Sequence, residues 1–559
     1  MFYILFSDLF RFEINQNINL ILQLFTMKNY NQITFRKPFG TPFGNLLLMS
    51  VMTVLGALMT SCGGGGASSA PQHVKLIPKD AAMVVAFDVK QMVSKSVSFE
   101  DLFSQKSLEA MGNDEKEAKK GADNAKKFMN SGVDYLNIGY LFADGKSKDD
   151  YVLAIPLDDA AKFEKFLISE KEEIKTEGKM KYTVSKEKGG FIAWKDKNAL
   201  MFLSQKGDEA SFKKRAIELL EVKDDQTLLA TSKSFAKALG NKGDIQVWID
   251  SEKFNKMNGE ETEFEGISLK DNFASISVRF EKGEVLVDAD GETSPAISKM
   301  YEKIFKNGID GKLSKNIPVK KPTILASIAL NLKGIKEIMQ ERGLLAMAES
   351  SLKKNGTSVD EIISVFSGDI LIVAESVNFL SPKAIVSIGL NDEKAFDAML
   401  MKVSKGQVKK NGNTYSAEGA PAGLVVKDGV AYAATENYIE DIKKGTTELE
   451  GDMVKLAKDN AFAMYGDESI AKDLPNDDMK AATNVFANVE IKTGSLKDKA
   501  VKGAMIVRMK DKSKNSLLVL VEAVKNAPKS KKKSRREEKF EDDAPPAMDE
   551  KEQAPAKQQ

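Results

Sequence analysis

The residue types that most often do chemistry are scarce in this chain. Its 559 residues hold one cysteine, Cys62, and one histidine, His73. A zinc site built from thiolates and imidazoles needs several such ligands, and a histidine-dependent triad needs its histidine near a nucleophile and a carboxylate. His73 stands at the end of a Gly/Ser-rich stretch, far in sequence from any partner pattern, so both chemistries are excluded. Serine, lysine and carboxylate combinations remain. The spacing S-x-x-K occurs at Ser211–Lys214 and Ser234–Lys237, and a Lys-Thr-Gly triplet at Lys492–Gly494, but the Ser-Asp-Asn box that accompanies them in serine–lysine enzymes is missing. Such short matches are expected by chance in a chain rich in both residues, and they read as solvated surface. Gly145-Lys146-Ser147 is no phosphate loop: five residues separate it from Gly139 where the geometry needs four, and Asp149 and Asp150 follow where an anion would sit. Asp288, Asp290 and Glu292 resemble a calcium loop, but the glycine comes too early and the bidentate glutamate is absent, which favours a turn at a strand end. No metal or cofactor is implied.

The lone cysteine has a more telling context. Before it, MKNYNQITFRKPFGTPFGNLLLMSVMTVLGALMTSC starts at Met27 with Lys28, Arg36 and Lys37 and continues into an uncharged apolar run from Leu46 to Met59. A basic region followed by a short apolar run is the pattern of a secretory signal. The run is shorter than the roughly 20 residues that a helix needs to cross a bilayer. Met59-Thr60-Ser61-Cys62 looks like a bacterial lipobox, although Met replaces the commoner Leu at its first position. The resemblance implies cleavage before Cys62 and attachment of a diacylglycerol to its sulfur, so Cys62 is the lipidation site. The other reading is a plain signal peptide or N-terminal anchor with an incidental cysteine. Each buried CH₂ contributes about 0.8 kcal/mol, so two or three acyl chains anchor stably where one does not. GGGGASSAPQ then forms a tether reaching on the order of 17 Å. Residues 1–61 thus comprise an N-terminal extension and signal peptide, with Met27 the expected start, and residues 62–73 the lipidated cysteine and tether.

The rest of the chain reads twice. IPKDAAMVVAFDVKQMVSK, Ile77 to Lys95, parallels PVKKPTILASIALNLKGIKEIM, Pro318 to Met339. YVLAIPLDDAAKFEKFL, Tyr151 to Leu167, parallels AIVSIGLNDEKAFDAML, Ala384 to Leu400, each a strand, a helix cap at Asp158 or Asn391, and a helix. GGFIAWKDKNALMFLS, Gly189 to Ser204, parallels AGLVVKDGVAYAAT, Ala422 to Thr435, as two strands around a Lys-Asp turn. DIQVWIDSEKF and ASISVRFEKGEVLVDADG are echoed by NVFANVEIKTGSL and GAMIVRMKDKSKNSLLVLVEA in the same order. The expected fold is α+β: two tandem related domains, residues 74–312 and 313–526, each a mainly antiparallel sheet with covering helices such as SFKKRAIELLEV, Ser211 to Val222. Trp194 and Trp248 fall in apolar strand patterns and belong to the core. Residues 527–559 lack the apolar content to repay ordering and form a disordered charged tail. Its basic run Lys529–Arg536 is cancelled by Glu537, Glu538, Glu541, Asp542 and Asp543, and with 82 basic against 81 acidic residues overall nothing points to nucleic acid.

The IPKDAAMVVAFDVKQMVSK opening and SGDILIVAE, Ser367 to Glu375, carry a resemblance to a family of Bacteroidetes lipoproteins known only as a domain of unknown function, DUF4836. The resemblance implies a cell-envelope location and brings no activity or site residue with it. The functional expectation is a non-enzymatic envelope lipoprotein, held to the membrane by its lipid and binding an envelope protein or glycan. A carboxylate-dependent extracytoplasmic hydrolase is the alternative; two facing carboxylates in a pocket would favour it, and a broad apolar groove would favour binding. With glycines rather than acidic residues after Cys62, the expected placement is the outer membrane, facing the periplasm.

Overall fold

The computed structural model describes residues 71–526, apart from 96–97, 111–114, 146–150, 185–189, 204–207, 265, 355, 377–382, 419–421 and 474–483. Cys62, the signal segment and the charged tail lie outside the described residues.

Among the described residues, ten strands of the main sheet lie in the first half: β1 (Met83–Asp88), β2 (Ile138–Ala143), β3 (Tyr151–Pro156), β4 (Lys175–Glu177), β5 (Met180–Val184), β6 (Phe191–Lys195), β7 (Asn198–Phe202), β8 (Ile245–Asp250), β9 (Phe273–Glu281) and β10 (Glu284–Glu292). A two-residue ladder between Glu263–Phe264 and Ile267–Ser268 stands apart from them. Ten more follow: β11 (Ile324–Ala329), β12 (Phe366–Ser376), β13 (Lys383–Leu390), β14 (Val408–Asn411), β15 (Thr414–Ala417), β16 (Ala422–Lys427), β17 (Val430–Thr435), β18 (Phe462–Asp467), β19 (Phe486–Thr493) and β20 (Ala500–Met509). The protein is therefore a mixed helix and strand fold built on a large antiparallel sheet.

In the first half the strand order is β4-β5-β6-β7-β3-β2-β1-β8-β9-β10, every pair antiparallel. In the second half it is β14-β15-β16-β17-β13-β12-β11-β18-β19-β20, so each strand pairs as does the one ten places before it. The halves are joined edge to edge by β10 and β20, with Val287 opposite Met505. One sheet thus runs through both halves. The strands at its ends, KTE and VKKN, are short and charged, which discourages pairing with another chain.

Alternation divides the apolar residues between two faces. On one face, Val84, Tyr140, Phe142 and Trp248 build a first-half core and Leu325, Leu371, Ile385 and Tyr432 a second-half core. On the other, Ile276, Val287 and Met505 form a central cluster that both halves share. It is flanked by a cluster under helix Ala160–Ser169 and another under helix Glu393–Val403. Helix Ser516–Asn526, the last described element, sends Leu520 into the central cluster and packs on helix Gln105–Ala110 of the first half.

Several local expectations hold and three shift. Trp194 and Trp248 are buried. Both Lys-Asp hairpins form, with Asp196 at φ 54° and Asp428 at φ 52°. The helix caps, however, are Asp159 and Asp392, one residue later than Asp158 and Asn391. Asn391 is spent otherwise: its Nδ2 donates to the carbonyls of Ile363 and Phe366, holding the incoming chain. Asp288, Asp290 and Glu292 lie inside β10 and not at a turn, and Asp288 pairs across the strands with Arg279. His73 does not belong to a tether: it sits in a 3-10 turn, Gln72–Leu76, and is buried against Tyr140.

Candidate functional site

The Ser234–Lys237 pair is the sequence motif that comes nearest to a site. Helix Lys233–Leu239 starts at Ser232, whose hydroxyl accepts from the Phe235 N–H, and this places both side chains beside Trp248 of β8. The cleft they line with Asp290 and Glu292 holds about 10 Å³, the space of one water. Ser234 is buried, not solvated, and its oxygen accepts from the Trp248 indole N–H at 3.0 Å. Lys237 reaches Glu292 at 2.8 Å. A nucleophile needs a free lone pair and a base within reach, and here each partner is engaged by a structural neighbour. The other matches are likewise absorbed into structure. Ser211 donates to the carbonyl of its own cap Asp208, Lys492 pairs with Glu490 at 2.8 Å, and the Gly494 carbonyl accepts from Tyr301. Gly145 takes φ 77° in close contact with the Asp80 carbonyl, while Lys146 and Ser147 lie outside the described residues. Among the described residues no three His, Cys, Asp or Glu side chains gather as metal ligands.

A constellation that sequence reasoning missed surrounds the SGDILIVAE motif. The start of β12 bulges against β13 between Phe366 and Ile370. Gly368 makes the bulge at φ 86°, where a Cβ would lie 2.2 Å from the Leu330 carbonyl. Ser367 donates to Asp369 at 3.0 Å, and Lys306 donates to the Ser367 carbonyl at 3.0 Å and pairs with Asp369, which is buried. Lys306 follows helix Pro295–Ile304 directly, so the cluster ties the end of one half to the first strands of the next. Gly368→Ala is expected to cost at least 1–3 kcal/mol, roughly the strain of an L-residue forced into this region, read as a lowered Tm.

A wider cleft than the one at Ser234 lies in the helical layer between β1 and β2. Helices Phe99–Leu102 and Gln105–Ala110 face helix Glu115–Met129 across a groove of about 190 Å³. Phe103, Ala122, Ala125 and Met129 line it together with Ser104, Gln105, Glu100, Lys119, Asp123 and Lys126. Phe103, a large aromatic in this cleft of mixed polarity, is 40% exposed. Its charged residues are of both signs, with Glu100 on one helix and Lys119, Asp123 and Lys126 on the helix opposite. Helix Glu115–Met129 is strongly amphipathic, and its regular lysines gave a sequence signal for a covering helix but none for a cleft.

His73 is buried against Tyr140 of the first-half core. Its Nε2 bonds the Ile138 carbonyl, and burial holds the imidazole below its ordinary pKa of 6.5. The folded state therefore binds a proton more weakly than the unfolded chain, so its stabilising effect is complete above pH 6.5 and declines as pH falls from there. As the only histidine, it makes a clean test: Tm should fall between about pH 7 and pH 5 in the wild type, and this slope should flatten in His73→Gln.

No helix among the described residues is long and apolar enough to cross a membrane. No curated protein matches the chain. Three crystal forms of TP0453 do. Form I is 12% identical with a TM-score of 0.22, covering 41% of this chain and 81% of TP0453. Form III is 12% identical at 0.24 over 44% and 89%, and form IV 13% identical at 0.20 over 43% and 86%. Scores this low establish no shared fold. Residues 73–416, from the buried His73 through β15, match the family described as a domain of unknown function, DUF4836, and the chain belongs to that family.

Proposed function

We propose that this protein is a lipid-anchored envelope lipoprotein, attached through Cys62 to the outer membrane and facing the periplasm, that works by binding a protein or glycan partner and not by catalysis. The observation that supports the reading is the groove beside Phe103, where an exposed aromatic, Ala122, Ala125 and Met129 stand among the charged side chains of Glu100, Lys119, Asp123 and Lys126. The small cleft at Ser234 supports it from the other side, since its serine and lysine are both held by structural partners. We also infer that the two halves descend from one duplicated unit, a view supported by the matched pairing order of β1–β10 and β11–β20.

The test is crosslinking and capture from membranes of the native host with the wild type and with Phe103→Asp. A partner recovered with the wild type and reduced at least about tenfold with the variant is the expected result, because a buried aromatic anchor typically dominates such contacts. Equal recovery would remove the groove from the account. Turnover of peptide or glycan substrates by the purified full chain would overturn the non-catalytic reading.

A further inference from the structure

Among the described residues, Asp244 is the most deeply buried carboxylate in an ion pair. Its side chain is 0% exposed, and Lys95 Nζ donates to its Oδ2 at 2.9 Å. Lys95 ends helix Val89–Lys95, and Asp244 stands directly before β8. The main chain holds Asp244 in place: its N–H donates to the Val278 carbonyl, and its own carbonyl accepts from the Asp88 N–H. The fold does not demand an acid there. In the second half Ala461 stands at the corresponding place before β18, its carbonyl accepting from the Ala329 N–H.

Three features separate this pair from an ordinary ion pair. The Phe280 N–H also donates to Oδ2, at 2.6 Å, so one oxygen takes both hydrogen bonds. Oδ1 is buried and has no hydrogen-bond partner among the described residues, where a buried carboxylate oxygen is ordinarily bonded. Glu281, at the end of β9 and 42% exposed, brings a second carboxylate to the same ammonium, with Oε1 3.4 Å from Nζ. A nitrogen nucleophile, a carboxyl group held by a backbone N–H and a base open to water thus converge. Lys306 and Asp369 make another buried pair, but there the neighbour is the Ser367 hydroxyl, which donates to the carboxylate instead of taking a proton.

We propose that Lys95 and Asp244 condense to an intramolecular isopeptide bond. Glu281 takes a proton from the ammonium, the freed amine attacks Cγ of Asp244, and the Phe280 N–H stabilises the charge that gathers on Oδ2. The Nζ–Cγ bond forms as the Cγ–Oδ1 bond breaks. Nitrogen sheds two protons in all, and both leave with Oδ1 as water, one of them by way of Glu281, which ends as the carboxylate it was. The condensation consumes no oxidant and no cofactor. The oxygen without a partner is the one that departs, while Oδ2 stays on the Phe280 N–H as the amide oxygen. The bond joins residues 149 positions apart in a chain whose single cysteine cannot form an internal disulfide. Between its ends lie the helices of the Phe103 groove and β2–β7, so that most of the first half becomes one covalent loop, and a loop this long restrains the unfolded chain strongly.

Mass spectrometry of peptides from the purified full-length protein, unfolded before digestion, tests this directly. A branched peptide carrying Lys95 and Asp244, lighter by one water than its two parts, is expected. Lys95→Arg keeps the cation, but a guanidinium is not deprotonated in proteins and cannot condense, so this variant should lack the branched peptide and melt at a lower temperature. Glu281→Gln keeps both reacting groups without the base and should lower the linked fraction at least about tenfold, with circular dichroism showing that it is folded. Linear peptides alone from the folded wild type would overturn the inference, as would an equal linked fraction in Glu281→Gln. Either failure leaves the binding reading at Phe103 untouched.

Discussion

Val287→Asp is expected to unfold both halves of the protein together. Val287 is 4% exposed and faces Met505 across the β10–β20 seam, inside the cluster that both halves share. An aspartate there loses the apolar contacts of valine and places a carboxylate where no cation stands opposite, a combination costing on the order of 4–5 kcal/mol or more. Whole-domain stability is typically about 5–15 kcal/mol, so the loss takes most of it. Thermal melting followed by near-UV circular dichroism should show one transition at much lower temperature, with Trp194 and Trp248 in the first half and Tyr432 in the second losing their packing together. Two separate transitions, only one of them shifted, would mean that the halves are independent and the seam is incidental.

Arg215→Ala is the second large effect. Helix Glu209–Leu220 carries Arg215 onto the first-half sheet, where it pairs through Nε and a terminal nitrogen with Asp144 at the end of β2 and at 2.8 Å with Glu218. The Asp144 side chain is 4% exposed and that of Arg215 15%. Removing the guanidinium leaves a buried carboxylate without its cation, a change that costs roughly 3–5 kcal/mol when a buried pair is broken. Arg215→Lys should cost less but remain destabilising, because a point charge replaces a planar fork. Asp144→Asn in the Arg215→Ala background should recover part of the loss, and urea unfolding of the four forms gives the coupling. An additive cycle would show that the pair is solvated and the packing argument wrong.

How much of this was legible in the sequence depends on range. Alternation and turn chemistry are local, and they located the paired strands around Asp196 and Asp428 and the buried Trp194 and Trp248. Cap chemistry placed the helices to within one residue. It missed Asp159 and Asp392 because Asn391, an equally good cap by type, is consumed by two carbonyls on the preceding connection. The joining of β10 to β20 pairs residues more than two hundred positions apart and leaves no periodic trace, so the sequence discloses the two related segments and not the one sheet that runs through both halves. His73 illustrates the limit from another side. A polar residue beside a Gly/Ser stretch reads as tether, and only the carbonyl of Ile138 and the ring of Tyr140 make its burial favourable. The groove at Phe103 was invisible for the same reason, since it exists only once separate elements have packed.

As a proposed lipid-anchored binding protein, the chain can be tested first at its anchor. Metabolic labelling with a palmitate analogue in the native host, comparing the wild type with Cys62→Ala, is predicted to label the wild type and leave the variant unlabelled and released from the membrane. Label absent from both, or retained by Cys62→Ala, would contradict the anchor and with it the envelope placement.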